Sequence, residues 1–289
     1  MDLFAQLVVN GLCNGSYYAI LGLGFGLIFA TTRIMHFVYG PVFAIGAYAA
    51  WIAGTVAGLP LWASVLAGPM TAAIAGMLVY WVAYRPFERR GMSTHSIFIL
   101  ALALSIVMES GLTLAFGPSI QTFPGFSAPV FILGPVFVTA LQLAELAALV
   151  VVLSGTLLFL NATRYGKAIL ALADDRDMAR IVGIDTDRIS LLVFALGSAI
   201  SAVASIFMLL HEGATPTMGF NPVFLAFVVT VIGGLGSISG AIAGGFLVGL
   251  VESVGLWKIP TEWQNSIAFV MLFVVLLVRP QGLFRGLRR

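Results

Sequence analysis

Charge is what this sequence has least of. Only 9% of its 289 residues are charged, against roughly a quarter in an average soluble domain, while 60% are hydrophobic. This number of charges is too small to cover the surface of a soluble protein. The composition therefore predicts a membrane protein. The hydrophobic runs are long and continuous, unlike the alternating segments of about ten residues in a membrane β-barrel, and they therefore predict helices.

Cysteine and catalytic motifs are almost absent as well. The single cysteine, Cys13, lies inside the first hydrophobic run, which excludes a disulfide framework and a thiolate metal cluster. There is no Walker-type phosphate loop, HExxH, CxxC or GxSxG motif. His36, His95 and His211 fall near the ends of different runs, so no shared metal site is expected. We expect no catalytic residue, metal site or cofactor in this chain.

The hydrophobic runs define the predicted spans. A spanning helix needs about 20 mostly apolar residues. The runs lie at 5–30, 38–57, 61–84, 96–116, 136–160, 190–210, 222–233, 240–257 and 264–279. They predict an all-α, polytopic membrane bundle of about eight to nine transmembrane segments, forming a single domain over 1–289. The acidic start MDLFAQLVVNG lacks the pattern of a cleaved signal peptide, so we interpret it as the beginning of the first span.

Basic residues between the runs predict the orientation, because cytoplasmic connections carry an excess of Lys and Arg. They form three groups: Arg85, Arg89 and Arg90; Arg164, Lys167, Arg176, Arg180 and Arg188; and Arg279, Arg285, Arg288 and Arg289. The connections 117–135 and 211–221 contain neither Lys nor Arg. This bias predicts an N-terminus outside the cell and a C-terminus in the cytoplasm.

A glycine-rich segment, VIGGLGSISGAIAGGFLVGLVES, follows a hydrophobic run of 12 residues that is too short to span. It predicts a broken or re-entrant pair of helices near 222–257. The glycines assigned to this pair are Gly233, Gly234, Gly236, Gly240 and Gly244. Glycines four residues apart, such as Gly245 and Gly249, favour close helix packing within the bundle. Their density here also fits a dimer contact or a solute path.

One connection, 171–188, carries far more charge than the rest of the chain. It reads ALADDRDMARIVGIDTDR, with eight charged residues in eighteen. We expect Asp174 to cap a short helix over 174–183 and Gly183 to end it in a left-handed conformation. Asp185 is then expected to cap the next membrane helix.

Apolar and basic side chains lie on different faces of this predicted helix. Met178, Ile181 and Val182 follow the i, i+3, i+4 spacing of one face, whereas Arg176 and Arg180 lie on another. An exposed apolar tip ringed by charge favours a docking element for a cytoplasmic partner. The alternative is an amphipathic helix that lies on the lipid headgroups.

Polar residues within the predicted spans are the candidates for a solute path. The first span is the richest, with Asn10, Asn14, Ser16, Tyr17 and Tyr18. These side chains would line either a helix interface or a path for a small polar solute. Glu109, Glu145 and Glu252 lie in other runs, where a carboxylate is costly, and are either functional or close enough to a span end to pair or reach water.

Seven stretches form an ordered set of motifs over nearly the whole chain. They are NGLCNGSYYAILGLGFGLIFA, GAYAAW, YRPFERR, GKAILALADDRDMARIVGID, TPTMGF, VIGGLGSISGAIAGGFLVGLVES and RPQGLF. Together they resemble the shorter of the two permease subunits in bacterial ABC importers for branched-chain amino acids.

This resemblance implies that 174–183 is a coupling helix seated in a cleft of a cytoplasmic ATPase subunit. ATP and Mg would bind on two such separate subunits, so this chain would not be an enzyme. The other implied partners are a second, longer permease subunit forming a heterodimer and an extracytoplasmic solute-binding protein that lands on 117–135 and 211–221. The chain would be a multi-pass protein of the bacterial inner membrane, in contact with lipid and without a nucleic-acid partner.

Two sets of site residues follow. Those expected to contact the ATPase or shape the coupling helix are Asp174, Arg176, Met178, Arg180, Ile181 and Gly183. Those expected along the solute path are Asn14, Tyr17, His36, Tyr39, Met218 and Phe220.

The stretch HFVYGP, at 36–41, departs from the family pattern Asn-Phe-Ala-His-Gly-Glu. If this turn helps to select solute, the cargo is a different amino acid, an amide, urea or a small aromatic acid rather than leucine, isoleucine or valine. The rival function is a self-sufficient channel or secondary transporter, with the broken glycine-rich pair as its filter or ion site. A membrane enzyme would need a convergent set of catalytic side chains, which the sequence lacks.

Overall fold

The computed structural model describes residues 2–123, 126–134, 136–258, 260 and 263–284. Its helices are α1 (Asp2–Thr32), α2 (Tyr39–Trp51), α3 (Leu61–Val79), α4 (Arg85–Arg89), α5 (Thr94–Phe116), α6 (Ala140–Ala162), α7 (Arg164–Asp174), α8 (Arg176–Ile181), α9 (Thr186–Glu212), α10 (Phe220–Gly233), α11 (Ile238–Gly255) and α12 (Gln264–Val278). Single π-helical turns extend α2 over Ile52–Val56 and α3 over Tyr80–Tyr84.

The predicted helical membrane bundle is confirmed. Within the described residues, seven helices are long and apolar enough to cross a membrane, and Phe220–Gly233 and Ser266–Val278 are shorter apolar helices. Each predicted run coincides with one of these helices, apart from small shifts at the ends. Their apolar composition explains this agreement, since a backbone in lipid has to satisfy its own hydrogen bonds.

One segment differs from the all-helical prediction. Strand β1 (Val130–Leu133) pairs antiparallel with β2 (Val136–Thr139), so the run predicted to start at 136 begins as a strand. The helix starts only at Ala140, because the Thr139 hydroxyl accepts from the Gln142 backbone at 3.2 Å while Gln142 Oε1 accepts from the Thr139 backbone at 2.9 Å. This reciprocal cap fixes the boundary between strand and helix.

Helix α1 lies at the centre of the bundle and packs against α6, α9, α10 and α11. Its closest neighbour is α11, where glycines replace side chains at the crossing. A Cβ on Gly245 would lie 2.7 Å from the Ala19 Cα, and one on Gly249 would lie 2.7 Å from the Gly11 carbonyl oxygen. Gly245 and Gly249 therefore serve packing within this chain, as the spacing predicted.

The predicted break in the glycine-rich segment is also confirmed. Helix α10 ends at Gly233, and the chain turns through Gly234 and Gly236 with φ of 104° and 90°. Ser237 then caps α11 by accepting from the Gly240 backbone at 3.0 Å. Gly233 and Gly240 lie against each other with no room for a Cβ on either, so the two helices fold back in close contact.

The connections gather at two opposite ends of the bundle. At one end, the two connections without Lys or Arg meet, because Gln121 and Ala214 exchange backbone hydrogen bonds of 2.9 and 2.8 Å. At the other end, the basic connections meet around Asp187 and Arg176. Three basic residues used to predict the orientation, Arg285, Arg288 and Arg289, lie outside the described residues.

Candidate functional site

The charged connection forms two helices, α7 and α8, instead of the single helix predicted over 174–183. Asp174 is the last residue of α7, so its predicted capping role is wrong. The cap of α8 is Asp175, whose Oδ1 accepts from the backbones of Asp177 and Met178 at 2.9 and 3.0 Å. Helix α7 begins early because the Thr163 hydroxyl caps it, and it runs on to residue 174, which leaves six residues for α8.

The end of α8 follows the prediction. Gly183 has a φ of 88°, and the Ile184 backbone donates to the Ala179 carbonyl at 3.0 Å. Asp185 caps α9 by accepting from the Arg188 backbone at 3.2 Å. A glycine in the left-handed region thus lets α8 reverse directly into a membrane helix.

The tip of α8 is apolar and exposed. Met178, Ile181 and Val182 are 60%, 78% and 73% exposed, and Arg180 beside them is exposed too. Ala179 is buried and holds the opposite face of the helix against the bundle. We call Met178, Ile181 and Val182 the α8 tip.

Arg176 points away from the α8 tip. Its Nη1 lies 2.9 Å from Glu88 Oε1 and donates to the Thr32 carbonyl at 3.3 Å. The other oxygen of Glu88 accepts from the Tyr80 hydroxyl at 3.0 Å. Arg176 was predicted to share a face with Arg180, whereas in the structure it ties α8 to α4 and to the end of α1.

A second charged contact joins α4 to α9. Asp187 Oδ2 lies 2.9 Å from Arg85 Nε and 2.7 Å from Arg89 Nη2. Sequence reasoning missed both Glu88 and Asp187 as functional candidates. Both are acidic residues within connections that are otherwise basic, which could have marked them as partners for nearby arginines. Glu88 is the one Glu in YRPFERR, and Asp187 lies in the region after Gly183.

The two first-span residues predicted for the solute path, Asn14 and Tyr17, line one pocket of about 430 Å³. The pocket lies between α1, α6, α9, α10 and the start of α12. Its other lining residues are Tyr18, Gln142, Glu145, Phe207, Met208, His211, Glu212, Asn221, Pro222, Leu225 and Gln264. We call this cavity the polar pocket.

The other four predicted path residues lie elsewhere. His36 is fully buried, its Nδ1 is 3.0 Å from the Tyr84 hydroxyl, and its ring centroid is 4.8 Å from that of Phe194. Tyr39 is also fully buried and donates to the Leu21 carbonyl at 2.9 Å.

Met218 and Phe220 complete that set of four. Met218 is buried in the core, whereas Phe220 is exposed and lines a separate pocket of about 180 Å³. The structure therefore does not bring the six predicted path residues together. The turns between helices pack His36 and Tyr39 into the aromatic core instead of opening them to the polar pocket.

Across the described ranges, no group of three or more His, Cys, Asp or Glu side chains is placed to hold a metal ion.

Comparisons with known proteins agree with this architecture. The family model described as "Branched-chain amino acid transport system / permease component" matches residues 7–276. The chain is 31% identical to the high-affinity branched-chain amino acid transport system permease protein BraD of Pseudomonas aeruginosa, over 97% of this chain and 95% of that protein. It is 30% identical to the corresponding permease protein LivH of Escherichia coli K12, again over 97% of this chain and 95% of the relative.

One solved structure supports the fold. The chain resembles PsaBC from Streptococcus pneumoniae, solved in complex with Fab, with a TM-score of 0.52, 14% identity and coverage of 99% of this chain and 95% of that one. Because the family match spans almost the whole bundle, including the polar pocket and the α8 tip, this chain belongs to the branched-chain amino acid transport permeases, the membrane subunits of ABC importers.

Proposed function

We propose that this chain moves an amino acid, a branched aliphatic one or a near relative, into the cytoplasm by alternating access. The cargo class rests on the relatives, which are branched-chain amino acid transport permeases. ATP is hydrolysed on separate subunits, and the chain itself contributes movement and a path.

The observation that carries the proposal is the arrangement of α8. Its three apolar tip residues are exposed, while Ala179 and Arg176 on the other side are held against the bundle. Because an exposed apolar group costs free energy unless a partner covers it, the α8 tip suits a cleft on a cytoplasmic ATPase. Arg180, exposed beside it, suits the charged rim of such a cleft.

Force on the α8 tip would reach the polar pocket through two charged contacts. Arg176 connects α8 to Glu88 and to the last turn of α1, at Thr32. The Asp185 cap joins α8 to α9, and Asp187 joins α9 to α4. Helices α1 and α9 also supply pocket-lining residues, so a movement of α8 would change the shape of the pocket. Such rigid-body movement of packed helices is a common means of switching between two states.

The proposed assembly contains two ATPases, a second and longer permease subunit, and an extracytoplasmic binding protein. The orientation is the one predicted by the basic residues, with the α8 tip in the cytoplasm and the N-terminus outside. The binding protein would dock at the end where Gln121 and Ala214 join the two connections that lack Lys and Arg.

The test is affinity purification of the chain from native membranes, followed by an ATPase assay. The variant Met178→Asp/Ile181→Asp places charges on the α8 tip, and Val130→Asp/Ile132→Asp makes the same kind of change at exposed positions of the hairpin. We expect the first variant to lose the co-purified ATPase and the second to retain it. If the first variant retains the ATPase, the α8 tip is not the docking element. If the wild type purifies without an ATPase and the first variant transports normally, the chain works as a self-sufficient channel or secondary transporter.

A further inference from the structure

We propose that the polar pocket binds the ammonium group of the amino acid as it passes, with Glu145 as the carboxylate that attracts it. This inference rests on the proposed function, which makes the cargo an amino acid. It adds the chemical group recognised within the membrane subunit and the residue that recognises it.

Glu145 is the only charged residue in α6, a helix that is otherwise almost entirely apolar. A carboxylate in such a helix is costly to insert into a membrane, so its place needs a reason. Its neighbours Leu143 and Val150 are exposed on the outer flank of α6, whereas Glu145 is partly buried and lines the polar pocket. Within the described part of the chain, no hydrogen bond or ion pair engages its carboxylate. The carboxylate therefore faces the cavity without a partner among the residues that the structure describes.

The charges around the polar pocket have one sign. Glu212 lines it together with Glu145, and neither Lys nor Arg is among its lining residues. Behind the wall, the Tyr18 hydroxyl donates to the fully buried Glu252 at 2.6 Å, which adds a third acidic group nearby. Since His211 is the only basic side chain among the described residues of the wall, the pocket favours a cation over an anion.

The rest of the lining suits the other parts of an amino acid. Asn14, Asn221 and Gln142 supply amide groups that hydrogen-bond a carboxylate, and Phe207, Met208 and Leu225 supply an apolar wall for an aliphatic side chain. A volume of about 430 Å³ falls within the range of small-molecule sites.

Four other cavities among the described residues lack this combination. No carboxylate lines the pockets of about 350, 280 and 410 Å³ that the described residues form elsewhere. Glu109 lines the smaller pocket beside Phe220, with mostly apolar neighbours, and it provides a matched control for Glu145.

A cysteine-labelling experiment on the assembled importer in native membranes tests this inference. Replacing the single cysteine by Cys13→Ala and introducing Asn14→Cys places one thiol on the pocket wall. The thiol is then labelled with a positively charged and a negatively charged methanethiosulfonate, and the two rates are compared. We expect the positive reagent to react faster, and Glu145→Gln to lower the ratio of the two rates on the order of tenfold. Glu109→Gln should leave the ratio unchanged.

Protection by added solutes then identifies the recognised group. L-leucine and its methyl ester both carry the ammonium group, and 4-methylpentanoate is leucine without it. We expect the first two to slow the labelling only when Glu145 is present, and 4-methylpentanoate to have no effect. Equal protection by 4-methylpentanoate, or a rate ratio that does not respond to Glu145→Gln, would overturn the inference.

This outcome is separate from that of the proposed function. Co-purification of the ATPase with the Glu145→Gln variant shows that the importer is folded and assembled. If the ATPase co-purifies and labelling does not depend on Glu145, only the ammonium site is wrong. Loss of the ATPase from the wild type would contradict the proposed function itself.

Discussion

Arg176 on α8 and Glu88 on α4 form an ion pair of 2.9 Å in which both side chains are largely shielded, at 26% and 17% exposure. The pair between Arg188 and Asp185 has the same length, yet its side chains are 85% and 51% exposed. Water screens the second pair far more than the first. Of these two contacts, the Arg176 to Glu88 pair is the one that holds α8 in a fixed position on the bundle.

Removing Arg176 should therefore loosen α8. We expect Arg176→Gln to lower the free energy of unfolding by about 1–3 kcal/mol, because Glu88 loses its partner in a shielded site. Transport should fall more than ATP hydrolysis, since α8 would still bind its partner but transmit less movement. Thermal unfolding measures the first effect, and parallel assays of transport and ATP hydrolysis by the reconstituted importer measure the second.

A double-mutant cycle separates this pair from a general loss of charge. Glu88→Gln combined with Arg176→Gln should cost less than the sum of the single changes, because the two groups interact. The control Arg188→Gln removes an exposed pair and should change stability by only about 0–1 kcal/mol. Additive effects of Glu88→Gln and Arg176→Gln would contradict the proposed link.

Gly183 should be intolerant of a side chain. Its φ of 88° lies in the left-handed region, so Gly183→Ala should cost about 1–2 kcal/mol and displace the α8 tip. The matched control is Gly155→Ala in α6, where an added Cβ meets open space. We expect the first variant to lose ATPase in affinity purification and the second to retain it. Equal ATPase recovery from both variants would show that the left-handed turn is dispensable.

The crossing of α1 and α11 should depend on Gly249. A Cβ there would lie 2.6 Å from the Gly15 Cα, which is backbone and cannot move without separating the helices. We expect Gly249→Ala to destabilise the chain by about 1–3 kcal/mol, visible as lower thermal stability and a less uniform size-exclusion profile. Gly111→Ala in α5 adds its methyl group to open space and should be close to neutral. A normal size-exclusion profile and thermal stability for Gly249→Ala would mean that α1 and α11 pack less closely than the structure shows.

The proposed orientation predicts which side of the membrane each loop occupies. In a Cys13→Ala background, Ile132→Cys lies on the hairpin and Ile181→Cys on the α8 tip, and both positions are exposed. We expect a membrane-impermeant thiol reagent to label Ile132→Cys in intact spheroplasts and Ile181→Cys only after permeabilisation. The opposite pattern would reverse the orientation and place the α8 tip outside the cytoplasm.

Sequence reasoning succeeded where a local property decides the structure. The hydrophobic runs predicted the membrane helices closely, because a span depends on the continuous apolar length of its own segment. Gly183 and Asp185 were predicted in their roles because caps and left-handed turns involve residues only a few positions apart. The same rule failed at Asp174, since two adjacent Asp residues satisfy it equally. Helix α7 is capped at Thr163 and continues through Asp174, so Asp175 is the residue that caps α8.

The sequence by itself determined the membrane class of this protein, its spans, the segregation of its basic residues and the break between α10 and α11. Each of these follows from composition or from neighbours along the chain. Only the tertiary structure decided that Arg176 meets Glu88 and that Glu145 faces a pocket shared with Asn14 and Tyr17. It also decided that His36 is enclosed by aromatic rings. These relationships join segments that are distant in sequence. They depend on which face each helix turns inward, and composition and local spacing do not determine that.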